Sequence, residues 1–142
     1  MNNYSELQAT NFKLNVCIEL EPVGAPDIVV LISDRTLTEE ILTQPKKLEF
    51  QLDLLDLFSI SIELQNKIYT LDYETAVIIR RLTIDNVDLV PVYDYLAIYI
   101  NDHDNNNPTS YLGFNGKWSL TFNRPFYQWL HQQTGQGFLE KG

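Results

Sequence analysis

The sequence is poor in the residues that mark several common protein classes. It contains a single cysteine, Cys17, which excludes an intrachain disulfide framework and a zinc site built from cysteines. Only 10 lysines and arginines stand against 19 aspartates and glutamates, which gives a formal net charge of -9. An acidic chain repels phosphate backbones, so binding to nucleic acid is not expected.

Long hydrophobic runs are also missing. The longest uninterrupted aliphatic stretch, Ile28 to Ile32, is far shorter than the about 20 residues of a membrane helix, so no membrane contact is expected. The composition is nevertheless that of a folded protein, because 44% of the residues are hydrophobic and 12% are aromatic. For a chain of 142 residues we expect one domain spanning residues 1–142.

The main regularity in the sequence is the alternation of hydrophobic and polar residues. Apolar residues recur at every second position through Phe12–Leu20, Leu48–Leu54 and Phe58–Leu64, which predicts half-buried β-strands. No long stretch has the helical period of 3.6, so the crossover helices of a parallel sheet are not expected. The pattern predicts an all-β fold, an antiparallel β-sandwich or jelly roll with little helix.

Local signals also predict some of the connections. The last two of these runs flank Asp56 and are expected to be antiparallel neighbours. A change of parity at residues 80–81 indicates a β-bulge, and Asp85–Asp88 has the composition of a tight turn. Asn115-Gly116 is the strongest hairpin signal, because both central residues of a type I′ turn need a positive φ.

The polar loop after residue 100 contains candidate metal ligands. Asp102, Asp104 and Asn106 have the spacing with which a calcium loop opens. Such a loop has glycine at its sixth position and a bidentate glutamate at its twelfth, where this chain has Asn107 and Gly113. The spacing favours a solvated turn and leaves open a calcium site that takes further ligands from other loops. No other cofactor is expected.

A second set of residues is a candidate surface for a glycan or a protein partner. Aromatic faces stack on the C–H side of pyranose rings, and the alternative is that these rings fill the core or an interface. Trp118 shares the parity of Leu120 and is expected to point inward, whereas Tyr127 and Trp129 lie in an irregular aromatic segment and are expected at the surface. The predicted contact residues are Tyr99, Asp102, Asn105, Phe126, Tyr127 and Trp129.

No catalytic motif accompanies the two histidines, His103 and His131. The sequence contains no Ser-x-Gly elbow, no local Cys–His signature and no His-x-x-x-His spacing. A catalytic triad would therefore need partners that are distant in sequence. We expect no enzymatic activity.

Several stretches together resemble one group of proteins. They are Ile62–Lys67, Ile79–Leu89 and Gly113–Trp118, the last continuing through Phe122–His131 to Thr134–Phe138. These stretches are similar to small β-sandwich proteins of tailed bacteriophages, whose fold looks like that of carbohydrate-binding modules. The resemblance lies mainly in the second half of the chain.

The resemblance implies a non-enzymatic structural or accessory protein of the virion, made in the host cytoplasm. Such a protein would dock into the particle or decorate it, contacting other virion proteins through aromatic loops and its C-terminal segment. The alternative is a carbohydrate-binding module, assisted by calcium or not, that attaches to cell-surface glycans.

Overall fold

The structure is a computed structural model that describes residues 13–53, 57–90, 92–103 and 110–134. These ranges contain ten β-strands, a short 3-10 turn at Asp94–Leu96 and the α-helix α1 at Phe126–Thr134. None of their helices is long and apolar enough to cross a membrane. The strands are β1 (Lys13–Val23), β2 (Asp27–Ile32), β3 (Arg35–Ile41), β4 (Lys46–Asp53), β5 (Phe58–Gln65), β6 (Ala76–Ile84), β7 (Val87–Val90), β8 (Ile98–Asn101), β9 (Tyr111–Leu112) and β10 (Gly116–Phe122).

The strands form two antiparallel sheets. The first sheet has the order β4-β1-β6-β7, and the short strand β9 pairs with the other half of the free edge of β6. The second sheet has the order β3-β2-β5-β10-β8. The antiparallel β-sandwich with little helix is therefore confirmed.

The core lies between the inward faces of the two sheets. On β1 the apolar positions alternate with polar ones, and each of its four core side chains, Leu14, Val16, Ile18 and Leu20, is at most 2% exposed. Trp118 on β10 is fully buried, as predicted. Full burial of an aliphatic or aromatic side chain contributes roughly 1.5–3 kcal/mol, so this alternation fixes which face of each strand points inward.

Two local predictions are confirmed. The register of β6 against β1 shifts between Glu19 and Leu20 and leaves Arg80 as the extra residue of a bulge. Asp85 and Asn86 have φ angles of 51° and 67°, which is the left-handed backbone of the tight turn between β6 and β7.

The prediction that the runs on either side of Asp56 are neighbours is wrong. β4 pairs with β1 in the first sheet, whereas β5 pairs with β2 and β10 in the second. Asp56 itself lies outside the described residues. A period of two identifies a strand but carries no information about its partner, and here consecutive strands belong to different sheets.

The predicted hairpin at Asn115-Gly116 is also wrong. Leu112 pairs with Val77 in the first sheet, whereas Gly116 opens β10 in the second, and neither Asn115 nor Gly116 has a positive φ. The glycine is required for a different reason. A Cβ atom at position 116 would lie 2.3 Å from the carbonyl oxygen of Ile100, so only glycine lets β8 approach β10 here.

Helix α1 corrects the interpretation of residues 126–131 as irregular. The carbonyl oxygen of Pro125 accepts the amide of Trp129 at 2.9 Å, which opens the helix. Phe126 and Trp129 are 0% and 4% exposed, and their ring centroids lie 5.8 and 4.7 Å from that of Phe122. Because a spacing of three residues puts both rings on one helix face, the helix covers one end of the core.

Candidate functional site

The predicted contact residues that the structure describes fall at two opposite ends of the sandwich. The loop end consists of residues 66–75, 101–103 and 113–115, where β5 and β8 end and β10 begins. The helix end consists of the turn at Asp85–Asn86 together with α1. A strand of eight residues such as β5 spans about 25 Å, so one small ligand does not reach both ends.

Three of the predicted contact residues are buried. Tyr99, Phe126 and Trp129 are 2%, 0% and 4% exposed. The expectation that Trp129 lies at the surface is therefore corrected, because its ring packs in the core and offers no face to a surface ligand. Tyr127 is exposed, as predicted, but lies at the helix end, whereas Asp102 lies at the loop end. Asn105 is outside the described residues.

Asp102 is the centre of a hydrogen-bond network at the loop end. Its Oδ1 accepts a hydrogen bond from the Tyr69 hydroxyl at 2.7 Å and lies 2.9 Å from Nδ1 of His103. The same Tyr69 hydroxyl accepts the backbone amide of Asn115 at 2.7 Å. The bond from Tyr69, and then that from His103, hold the pKa of the Asp102 carboxyl below its ordinary value. The loop end therefore presents a fixed negative charge at neutral and mildly acidic pH.

Aromatic rings pack around this carboxylate. The His103 ring stacks on Phe114 with centroids 4.1 Å apart, and the Tyr69 ring meets His103 edge-on at 4.8 Å. From inside the core, the Tyr99 hydroxyl donates to the carbonyl oxygen of Phe114 and accepts its amide at 3.0 Å. Burial raises the pKa of Tyr99 to about 12. Tyr99 thus supports the loop end from beneath and is not one of its contact residues.

Lys67 fastens the other side of the loop end. Its Nζ donates to Oε1 of Glu74 at 2.8 Å and to the carbonyl oxygen of Gly113 at 2.6 Å, and its side chain is only 7% exposed. The Tyr111 hydroxyl donates to the second oxygen of Glu74 at 2.9 Å. The Asn115 side chain accepts the Lys67 amide through Oδ1 at 2.8 Å and donates through Nδ2 to the Lys67 carbonyl oxygen at 3.0 Å. It thus satisfies both backbone groups of Lys67, as a paired strand would. The loops 66–75 and 113–115 are therefore tied together by side chains.

Large apolar side chains are exposed around this network. Five of them are between 41% and 63% exposed: Ile68, Tyr69, Leu71, Tyr73 and Tyr111. Grouped exposed apolar side chains are a mark of binding surfaces. Sequence reasoning missed this group, although four large apolar residues between positions 68 and 73, in a segment without strand alternation, were a usable signal.

Two solved structures share the architecture that carries this site. A structure of vCBM60 in complex with galactobiose is 11% identical, with a TM-score of 0.53, and the match covers 75% of this chain and 97% of that one. The likeness is one of fold, an antiparallel β-sandwich. The selenomethionine form of vCBM60, described with a circular permutation that links two families of calcium-dependent carbohydrate-binding modules, is 10% identical. Its TM-score is 0.55, and the match covers 77% of this chain and 91% of that one. No family profile and no curated protein matches the sequence.

The side chains in the described ranges do not form a calcium site by themselves. These ranges contain no group of three or more His, Cys, Asp or Glu side chains that could hold a metal ion. Asp102 is the predicted ligand that lies within them, and its Oδ1 already accepts bonds from Tyr69 and His103. Asp104 and Asn106 lie outside the described residues. The observed network is thus explained without a metal ion, and calcium binding stays a prediction.

Proposed function

We propose that the protein is a non-catalytic carbohydrate-binding module whose loop end binds an oligosaccharide. The observation that carries the proposal is the exposed Tyr69, whose hydroxyl binds the Asp102 carboxylate and so helps to hold it in position. We assign the exposed rings of Tyr69 and Tyr73, which lie in the same loop, to stacking on the C–H side of a pyranose, and Asp102 to accepting hydrogen bonds from sugar hydroxyls. The likeness in fold to carbohydrate-binding modules supports the proposal.

The network itself favours binding. Tyr69, Asp102 and His103 hold one another, and Lys67 ties Glu74 to the loop before β10. Ordering flexible side chains is a main cost of association, so a surface that is ordered before the ligand arrives binds more tightly. The two carboxylates differ in their partners. Glu74 is neutralised by Lys67, whereas Asp102 is bonded to His103 and has no lysine or arginine partner within the described residues.

The exposed ring of Tyr73 provides the sharpest test. In Tyr73→Ala we expect the Kd for galactobiose or a longer galactose oligomer to rise at least about tenfold, because a stacking surface is lost. Isothermal titration calorimetry measures this change. Tyr95→Ala is the matched control, since Tyr95 is similarly exposed, 57% against 63%, and lies outside the loop end. Equal affinity in both variants, or no binding by any neutral glycan on an array, would contradict the proposal.

The same titration tests the predicted calcium ion. If Asp102, Asp104 and Asn106 coordinate calcium, EDTA weakens galactobiose binding and lowers the melting temperature, and added CaCl2 restores both. A melting temperature and an affinity that do not respond to EDTA would rule out calcium as a component of the site. The Tyr73→Ala result is interpretable in either case.

The virion role remains a second proposal. It is supported by the resemblance of the sequence blocks and by the outermost strand β8, where Ile98 and Ile100 are 59% and 69% exposed. An apolar edge strand suits docking of another protein. The comparisons support the sandwich fold and give no support to a phage particle. Peptide mass spectrometry of purified particles decides the matter, because absence of the chain from clean particles would contradict this role.

A further inference from the structure

The exposed face of α1 carries a groove at the helix end. It has a volume of about 550 Å³ and is lined by Arg124, Tyr127, Gln128, His131 and Gln132. The last four of these positions are spaced three and four residues apart, so they form one stripe along the helix surface, and Arg124 precedes the helix. The volume lies within the range of about 300–1,000 Å³ that is usual for small-molecule sites.

A second groove of about 550 Å³ adjoins the first. Arg124 and Gln132 line both grooves, and Thr121 and Asn123 from the end of β10 line the second. The two depressions therefore meet at Arg124. Together they suit a ligand of at least two linked rings better than a single small molecule.

The described lining of these grooves differs in charge from the chain as a whole. The protein has 19 acidic residues and a net charge of -9, yet no aspartate or glutamate of the described ranges lines either groove. Arg124 is exposed and makes no ion pair with any residue in the described ranges, whereas Lys67, Arg80 and Arg81 each face a carboxylate. Within the described part of the chain, Arg124 therefore lines both grooves without an ion-pair partner.

Tyr127 is fixed at the side of the first groove. Its hydroxyl donates to Oδ2 of Asp85 at 2.7 Å, while Oδ1 of Asp85 accepts the amide of Asn15 at 2.7 Å. This bond, together with burial, raises the pKa of Tyr127 to about 12. With its hydroxyl tied to the turn after β6, the half-exposed ring is held beside Arg124 and the glutamine amides.

We propose that the two grooves form a second binding site, specific for an oligosaccharide that carries carboxylates, such as a chain of uronic acids. The forked guanidinium of Arg124 matches a sugar carboxylate in a bidentate geometry. The amide of Gln128 binds a hydroxyl, and the ring of Tyr127 packs on the C–H face of a sugar. An acidic peptide would satisfy Arg124 but would give the tyrosine ring no pyranose face.

Titration of the full chain with trigalacturonate tests the site, with galactotriose as the neutral counterpart. We expect trigalacturonate to bind and its affinity to fall as NaCl is raised. Arg124→Gln should weaken this binding by at least about tenfold, because a charge-assisted bidentate pair is lost. Arg35→Gln is the matched control, since Arg35 is also exposed, has no ion pair within the described ranges and lines neither groove. It should leave the Kd unchanged.

The Tyr127 variants separate the ring from its hydroxyl. Tyr127→Phe keeps the stacking surface and should bind trigalacturonate within about threefold of the unmodified protein, whereas Tyr127→Ala should bind about tenfold more weakly. Absence of trigalacturonate binding, or equal binding by Arg124→Gln, would overturn the proposal. Binding of hexaglutamate in place of trigalacturonate would overturn it in favour of an acidic peptide. Galactobiose binding at the loop end is independent of these variants, so failure at one end is distinguishable from failure at the other.

Discussion

Replacing Trp129 by alanine is expected to lower the free energy of unfolding by about 3–5 kcal/mol. Trp129 is 4% exposed, and its ring contacts those of Tyr93, Phe122 and Phe126 at centroid distances of 5.7, 4.7 and 6.2 Å. The substitution removes the largest ring from this cluster and leaves a cavity that the rigid sheets do not fill. Loss of the ring also detaches α1 from the core, because Phe126 and Trp129 are its two fully packed residues.

Urea denaturation of the purified variant measures this loss. Gln128→Ala on the exposed side of the same helix is the control, and it should change the free energy of unfolding by less than about 0.5 kcal/mol. A loss below about 1 kcal/mol in Trp129→Ala would show that the ring is not part of the core.

The burial of Trp129 also limits its use in binding studies, since any loss of ligand binding in Trp129→Ala would follow from damage to the fold. Deleting the chain from Phe126 onward would likewise damage the fold, because it removes Phe126 and Trp129 from the core, so this deletion does not test docking into a particle. Ile100→Lys is the suitable variant for that test, because it changes the exposed edge strand β8 and leaves the core intact.

Gly116→Ala is expected to have the second large effect, a loss of about 3 kcal/mol. The added Cβ would lie 2.3 Å from the carbonyl oxygen of Ile100 and 2.5 Å from the Cα of Asn101. Both are backbone atoms of β8, so no side-chain rotation relieves the contact and the strand has to move. Because Asp102 directly follows β8, the displacement should weaken galactobiose binding as well as stability.

Gly113→Ala provides the comparison for this variant. There the nearest atom to an added Cβ is Cε1 of the Tyr111 ring at 3.0 Å, and this exposed ring can shift. Chemical denaturation of the two variants should separate them by more than about 1 kcal/mol, and hydrogen exchange should show loss of protection at Tyr99 and Ile100 in Gly116→Ala alone. Equal stability of the two variants would contradict the steric explanation.

The sequence predicts those features of the fold that are set by neighbouring residues. Alternation in β1 reports burial directly, because a half-buried strand needs one apolar face. The parity change at residues 80–81 predicts the bulge, and the composition of Asp85-Asn86 predicts the turn. Both signals lie in the residues of the feature itself. The sequence signal for each of these features is local, although the bulge itself is a shift in the pairing of β6 with β1.

The errors concern features that depend on distant residues. Asn115-Gly116 has the composition of a hairpin, but its backbone is determined by Lys67 and Ile100, which lie far away in sequence. Helix α1 has core residues spaced by three and four, yet it is too short for that period to stand out from its aromatic composition.

The loop end was missed for the same reason. Tyr69, His103 and Phe114 come from three separate loops, and only the fold brings them together. Asp102 was singled out for a metal-ligand spacing, whereas the structure connects it to Tyr69 and His103.

The alternation of the chain between the two sheets has a consequence for how the protein folds. β1 needs β6 as its neighbour, and β5 needs β10, which is the last strand. Among the described strands, only the hairpins β2–β3 and β6–β7 pair strands that are consecutive in sequence. Distant pairings require closure of long loops, so we expect refolding in milliseconds to seconds, as in other all-β domains. During synthesis, one edge of β5 stays unpaired until the ribosome has released β10, and over that interval the unpaired edge exposes the chain to aggregation.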